Sequence, residues 1–470
     1  MSPSGVQALG PGALGESKLN KQKHINYWKR CLKTYLPTAY TSTDSNRMLL
    51  AFFVVSALDL LGALLEHTKP EEREGYIDWI YRCQHPEGGF RGFPGTDFGD
   101  ERNAENKMWD PANVPATYMA LSALLILGDD LSRVKRRECL QWLRKLQRDT
   151  GSFGETLGEN DNIEGGTDSR FGYCAAVVRW ILRGAAKGEV EGVPDIDVDK
   201  LAECVSSAQT YDGGISESPY HEAHGGFTYC AINILAFIRR LPPHITDIGP
   251  GADRGPPGLG DLDSAVRWLV SRQTEILTEE DEPDIDDEDA RDEAGSEPPK
   301  EEVRDLRGFG IFPEDNQALT RLELLWAGFN GRPNKIADTC YCFWELGALC
   351  ALHRQHLTDT EACRRYLLDK TQHMVGGFGK VPGDPPDIYH SYLGLAALAL
   401  LKDPSMKPIV PSACFSQDAA RFLESLPWRK EITAGGDSLP QGFQYDLPSK
   451  IDERPKEGAS DSNYMAMSGG

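Results

Sequence analysis

Six nearly all-apolar segments recur along this chain at a roughly constant interval, and no other feature limits its fold so strongly. Five align on a tyrosine: TYMALSALLILGD at Tyr118, GYCAAVVRWILRG at Tyr173, TYCAINILAFIRR at Tyr229, CYCFWELGALCAL at Tyr341 and SYLGLAALALLKD at Tyr392. The tyrosines are 55, 56, 112 and 51 residues apart, so the long interval holds about one period plus an insertion. LLAFFVVSALDLLGALLE, over 49–66, lacks the tyrosine and makes the sixth. Segments of this length that are apolar on nearly all sides are helices buried on both faces, the inner layer of a layered protein.

More amphipathic stretches, such as 132–147 and 261–272, lie between them and suit an outer layer with one wet face. Glycine motifs punctuate the same period: GGFRGF at Gly88, GSFGE at Gly151, GGISE at Gly213, GFNGRPNK at Gly328 and GGFGK at Gly376. Glycine there permits a sharp turn at positive φ. The pattern predicts an all-α protein, an α/α toroid of six helical hairpins around a central apolar cavity. An open helical solenoid serving as a noncatalytic scaffold satisfies the same periodicity, so the choice falls to the site residues.

With 470 residues, 40% hydrophobic and 26% charged, the chain has apolar material for a substantial core. The expected organisation is a disordered segment over 1–20, a toroid over 21–447 and a flexible tail over 448–470. An acidic, disordered insertion at about 275–305 interrupts the toroid: residues 279–302 carry 14 Asp and Glu against Arg291 and Lys300. The net charge of −22 argues against nucleic-acid binding, which needs a basic footprint. Eleven scattered cysteines and no signal-peptide pattern suggest reduced thiols in a cytoplasmic protein. Apolar runs such as 116–128 and 393–401 are too short to span a bilayer, so no direct membrane insertion is expected.

Asp338 and Cys340 stand two apart where a turn enters an inner helix, and His390 opens the next. In a closed ring the three can meet, and a carboxylate, thiolate and imidazole set suits zinc with an open fourth position. Such an ion turns a bound thiol into a thiolate at neutral pH, which makes a substrate cysteine a natural fourth ligand. Nearby Arg332, Lys335, Tyr341 and His224 offer donors to a diphosphate leaving group. The bland readings are an N-capping aspartate, an inert core cysteine and solvated surface charge.

These residues sit within AFFVVSALDLL, LILGDDLSRV, HGGFTYC, NGRPNK followed by ADTCY and FW, and GGFGKVPGDPPDIYH. In that combination, over about 26–401, the chain resembles the β subunits of protein prenyltransferases, most closely those of the type I geranylgeranyl enzymes. The resemblance implies an α/α toroid with zinc on Asp338, Cys340 and His390. It implies diphosphate binding by His224, Arg332, Lys335 and Tyr341, with Asp338, Cys340, His390, Lys335 and Tyr341 as the catalytic set. Arg170, Phe171, Tyr173, Cys230 and Trp344 would line the isoprenoid and peptide cavity.

Lys380, which the resemblance adds to the diphosphate-binding residues, stands where farnesyltransferases carry a magnesium-binding aspartate; a lysine supplies the positive charge directly, so the resemblance implies that magnesium is dispensable here. Leu49 replaces the small residue expected on the first inner helix, and Leu393 replaces an aromatic; neither is the tryptophan that shortens the farnesyl pocket. The implied activity is transfer of a geranylgeranyl group from its diphosphate to the cysteine of a C-terminal CaaX motif, often ending in Leu. Rho-type small GTPases are such substrates, and an α subunit is the implied obligate partner. A farnesyltransferase β subunit is the nearest alternative.

Overall fold

Short polar side chains start the apolar helices. Asn113 Oδ1 accepts from the Ala116 N–H at 2.7 Å, Asp168 Oδ1 from Arg170 at 3.0 Å, Asp338 Oδ1 from Cys340 at 2.8 Å and Asp387 Oδ1 from His390 at 2.8 Å. Each satisfies one of the donors that a helix start leaves without a partner. The computed structural model describes residues 17–37, 40, 42–241, 258–278, 324–436 and 438–443. The N-terminal stretch through residue 16, most of the expected acidic insertion and the 448–470 tail lie outside the described residues.

In chain order the helices are α1 (Lys21–Lys33), α2 (Arg47–Leu60), the short α3 (Leu64–His67), α4 (Pro70–Arg82), α5 (Val114–Leu127), α6 (Arg136–Lys145), α7 (Ser169–Arg183) and α8 (Val198–Ser207). They continue with α9 (Gly225–Ile238), α10 (Leu262–Val270), α11 (Thr339–Ala351), α12 (Thr360–Arg365), α13 (Ile388–Leu400), α14 (Gln417–Ser425) and α15 (Pro427–Ile432). The apolar helices α2, α5, α7, α9, α11 and α13 pack each against the next, and α13 returns to α2. A closed ring results, which excludes the open solenoid. The helices before them, α1, α4, α6, α8, α10 and α12, form the outer layer; α6, for example, buries only Cys139, Leu140, Trp142 and Leu143.

The glycine turns fit the ring together. A Cβ on Gly88 would lie 2.3 Å from the Glu138 carbonyl oxygen of α6, one on Gly151 2.1 Å from that of Lys200 in α8, and one on Gly376 2.2 Å from that of Lys23 in α1. All three have positive φ, between +88° and +108°. Each turn thus seats on the following outer helix, and the last seats on the first. Closure is noncovalent, and His24 sits at the seam, its Nδ1 accepting from the Gly377 N–H at 3.1 Å.

Gly328 departs from the expected turn. The pairings Gln84–Phe90, Gln147–Phe153, Gln209–Ile215 and Gln372–Phe378 close the other turns, and Gln273 pairs with Phe329 in the same manner. Here the tight turn is replaced by the insertion, and Gly328 lies in a two-residue strand paired with Gln273–Thr274. The insertion therefore opens one turn between α10 and α11 and leaves the ring's register intact.

The tyrosine alignment also needs one correction. Tyr118, Tyr173, Tyr229 and Tyr392 each stand five residues after the cap of their helix, but Tyr341 stands three after Asp338; Phe343 holds the equivalent place. Phe52, Tyr118, Tyr173, Tyr229, Phe343 and Tyr392 give one aromatic per inner helix, with successive ring centroids 5.5–5.7 Å apart for Phe52–Tyr118–Tyr173–Tyr229–Phe343. The ring is not empty at this level. Tyr229, Tyr173 and Tyr118 donate to the carbonyls of Pro411, Ser412 and Ala413 at 2.6, 2.8 and 2.9 Å, and Tyr392 donates to that of Cys414. Four repeat tyrosines thereby hold four consecutive carbonyls of a segment that returns inside the ring after α13, bounded by the paired strands Ile409–Val410 and Phe415–Ser416. Burying those carbonyls without partners would cost more than the bonds themselves return.

All eleven cysteines are free thiols. Among the described residues no helix is long and apolar enough to cross a membrane.

Candidate active site

The inner helices all begin at one rim. Met48 N donates to Gly92 O, Val114 N to Glu155 O, Gly225 N to Gly331 O and Thr339 N to Lys380 O, so each helix start is tied to the loop that leads into the next inner helix. Ser169 Oγ of α7 reaches Phe227 O of α9, and Tyr40 Oη reaches Asp387 Oδ1, which closes the circuit from α13 to the segment before α2. The positive ends of six helix dipoles converge there, a setting that favours anionic groups.

Asp338, Cys340 and His390 meet at this rim, their ligand atoms within 4.8 Å of one another. Asp338 caps α11, Cys340 is in its first turn and His390 is in the first turn of α13. His390 Nε2 lies 3.4 Å from Asp338 Oδ1, while its Nδ1 lies 2.6 Å from Asp387 Oδ2. A neutral ring donating from Nδ1 leaves the Nε2 lone pair toward Asp338 and Cys340, the orientation a metal-ligating histidine adopts when a carboxylate stands behind it. One carboxylate, one thiol and one such imidazole fit a zinc site open at its fourth position.

The electrostatics agree with a site made for a cation. Burial pushes the Cys340 thiol well above its ordinary range and Asp338 adds to the rise, with Tyr389 and Lys380 opposing it. For His390, burial disfavours the charged ring, yet its bonds to Asp338 and Asp387 outweigh that and push its pKa up to about 9. A positive charge is wanted among these groups, and here the imidazolium supplies it.

Beside the triad, His224 and Tyr341 face each other with Nε2 and Oη 3.1 Å apart. His224 caps α9, its Nδ1 accepting from the Gly226 N–H at 3.1 Å. Burial lowers its pKa, as do the charges of Arg332 and Arg170, which favours the neutral ring. With Nδ1 accepting, Nε2 carries the proton and donates to the Tyr341 oxygen. The phenol proton of Tyr341 is then free to be given to a ligand.

The remaining expected residues are gathered less closely. Arg332 is exposed and turns to Glu222 at 3.4 Å, and Lys335 is exposed on the same loop, so the basic cluster is assembled only in part. Lys380 is exposed beside the start of α11. Arg170 bonds its own cap, Asp168, at 2.7 Å and stands 5.4 Å over the Phe227 ring. Phe171 and Leu49 are half-buried. Cys230, Trp344 and Leu393 share one register, each six residues after its helix cap and next to the aromatic ring of the interior. Trp344 Nε1 donates to Tyr389 Oη at 3.2 Å.

Asp387 and Tyr389 were absent from the sequence reading. The signal for Asp387 was present in the Asp-Ile-Tyr-His spacing, since a cap at i meets a side chain at i+3. Nothing in sequence sets Tyr389 beside Cys340, because that approach depends on how α13 packs on α11.

A family model described as the prenyltransferase alpha-alpha toroid domain matches residues 19–415. A geranylgeranyl transferase type-1 subunit beta from Arabidopsis thaliana is 28% identical over 406 residues, 84% of this chain and 88% of that protein. One from Dictyostelium discoideum is 29% identical over 424 residues, 86% of this chain and 97% of its own length. The solved structure of Candida albicans protein geranylgeranyltransferase-I complexed with GGPP matches with a TM-score of 0.65 and 26% identity, covering 87% of this chain and 99% of that one. The expected toroid and the resemblance to type I β subunits are both borne out. With its inner ring, rim and sequence in agreement, the chain belongs to the prenyltransferase alpha-alpha toroid family.

Proposed function

We propose that this chain is the catalytic β subunit of a protein geranylgeranyltransferase type I, which joins a geranylgeranyl group to the cysteine of a C-terminal CaaX motif. The observation that carries the proposal is the Asp338, Cys340 and His390 cluster, set at a rim where six helix N-termini converge. Those three residues would hold zinc, and zinc, when bound, supplies the acidity that keeps a substrate thiol as thiolate at neutral pH. A sulfur–carbon bond forms at carbon 1 of the isoprenoid as the carbon–oxygen bond to diphosphate breaks. The bond pair leaves with the diphosphate, and the thiol proton goes to solvent.

This chain's own groups favour that displacement at the leaving-group end. Tyr341 has a proton to donate to a developing phosphate charge, because His224 donates to its oxygen. Arg332 and Lys335 are exposed on the loop that leads into α11, and Arg332 has an exposed pair with Glu222 to give up, an interaction worth about 0–1 kcal/mol. Lys380 brings a positive charge near Cys340 where a metal-dependent relative would need an acid, so magnesium is dispensable. Leu49, Arg170, Phe171, Tyr173, Cys230, Trp344 and Leu393 would line the cavity that shields the isoprenoid and receives the peptide. The partner is a prenyltransferase α subunit, the substrates include Rho-type small GTPases, and the complex works in the cytoplasm.

The test is co-expression with the α subunit, supply of both isoprenoid diphosphates, and mass measurement of a CaaX peptide. A twenty-carbon increment is expected; preference for a fifteen-carbon increment would make the chain a farnesyltransferase subunit instead. The same preparation should hold one zinc, and Cys340→Ala should lose the metal and at least ~100-fold of the rate while the fold persists, an interaction lost directly at the reacting sulfur. Full transfer by a metal-free Cys340→Ala protein would remove this site from the chemistry, and a wild-type complex with neither zinc nor transfer would point to the scaffold.

A further inference from the structure

Glu345 is the one acidic side chain of α11, and it is wholly buried, with neither carboxylate oxygen hydrogen-bonded. It lies four residues after Tyr341, hence on the same face of the helix one turn further in. That face meets the start of α9. A Cβ added to Gly225, the residue after His224, would lie 1.8 Å from Glu345 Oε1 and 3.2 Å from Tyr341 Cδ1. The carboxyl therefore packs against the first backbone turn of α9, directly beneath the Tyr341 ring. Across from it, Arg272, two residues past the end of α10, is buried with Nη1 unpartnered; burial pushes the Glu345 carboxyl well above the usual carboxylate range, with the charge of Arg272 opposing that rise.

An acid in a dry place costs stability, and a chain needing only packing here would do better with an apolar residue. What the acid does at this spot follows from its neighbours. The N-terminus of α9 carries partial positive charge, and Glu345 places its carboxyl oxygens against that turn from the inside. The Gly225 N–H bond to Gly331 O and the Tyr341 ring against Gly331 complete the joint on which His224, Tyr341 and the Arg332 loop all hang.

We infer that Glu345 is a positioning residue for the diphosphate end of the site, fixing the start of α9 against α11 so that His224 and Tyr341 stay in register. This inference rests on the transferase reading above. Glu345 makes no side-chain hydrogen bond to the metal ligands, and its effect passes through Tyr341 and His224. Its removal should consequently be felt in the affinity for the diphosphate donor and not in the affinity for the peptide.

The experiment uses the α/β complex with Glu345→Leu and Glu345→Gln, and inorganic pyrophosphate as a competitive probe. Glu345→Leu should raise the KM for geranylgeranyl diphosphate and the Ki of pyrophosphate about tenfold, with kcat, peptide KM and zinc content within about twofold. Glu345→Gln, which keeps the shape and polarity, should stay within about threefold of the parent. Unchanged KM and Ki in Glu345→Leu, or parallel losses in zinc, peptide KM and kcat, would overturn the inference. A wild-type complex without transfer would overturn the transferase reading and this inference with it, whereas an active wild type with an indifferent Glu345→Leu overturns the inference alone. Should Glu345→Leu fail to assemble, a double-mutant cycle of Glu345→Gln with Tyr341→Phe on pyrophosphate Ki decides: coupling supports the inference, and additivity refutes it.

Discussion

At His390 a single ring has two jobs, one on each nitrogen. Nε2 faces Asp338 and Cys340, and Nδ1 is held by Asp387 at 2.6 Å, which in turn accepts from Tyr40 at 3.3 Å. Asp387 also caps α13 through the His390 N–H, so one carboxylate fixes both the backbone and the ring of the same residue. A carboxylate behind a metal-binding imidazole sets its tautomer and raises its basicity. Asp387→Asn should accordingly weaken zinc binding about 10–100-fold, a typical loss for such second partners. Competition against a chromophoric chelator measures this directly, and an unchanged affinity would show that Asp387 merely caps its helix. The metal-ligand types and spacing were visible in sequence; the caps concealed a second function that only the distance between two side chains brings out.

Among the elements, the glycine turns do most to define the ring. Gly376 has φ of +90° and faces the Lys23 carbonyl of α1, where a Cβ would stand 2.2 Å from the oxygen, whereas Gly62 has φ of +67° with nothing within 4 Å. The two positions share a backbone penalty for any L side chain, but only one has a neighbour to displace. Gly62→Ala should cost about 1–2 kcal/mol, the left-handed penalty alone. Gly376→Ala should cost roughly 3 kcal/mol or more, with overpacking added to it. Denaturant unfolding of the two variants separates the contributions, and equal losses would mean that the turn does not seat on α1 as described. The need for glycine was legible from the motif, while the surface each turn seats on was not. Gly328 illustrates the limit: its motif resembles the others, yet its partner strand is supplied from across an insertion.

For the whole molecule, stability should depend on acid through two buried histidines. Burial lowers the pKa of His24 to about 4, against an opposing bond to Gln372, and lowers that of His85 to about 4, helped by the charges of Arg91 and Arg102. Both pKa values are below the ordinary 6.5, so the unfolded chain binds protons that the fold refuses. Stability from these groups is complete above pH 6.5 and falls as pH drops toward 4, by up to about 3 kcal/mol for each histidine. Protonated His24 could no longer accept from Gly377 at the seam where the last turn meets α1. A melting temperature that declines over this window, with a smaller decline in His24→Asn, is expected from calorimetry; a flat profile would mean that the seam does not bury a neutral ring. The all-helical class, the two layers and the period came from sequence alone, because hydrophobic patterning at constant spacing is a local property that survives without coordinates. Tertiary structure decided which residues face one another. It took Tyr341 out of the interior tyrosine series, brought Pro411–Cys414 under four hydroxyls, and enclosed Glu345 beneath the rim. Those outcomes depend on the closure of a ring, and closure is a relation between distant segments that no window of sequence contains.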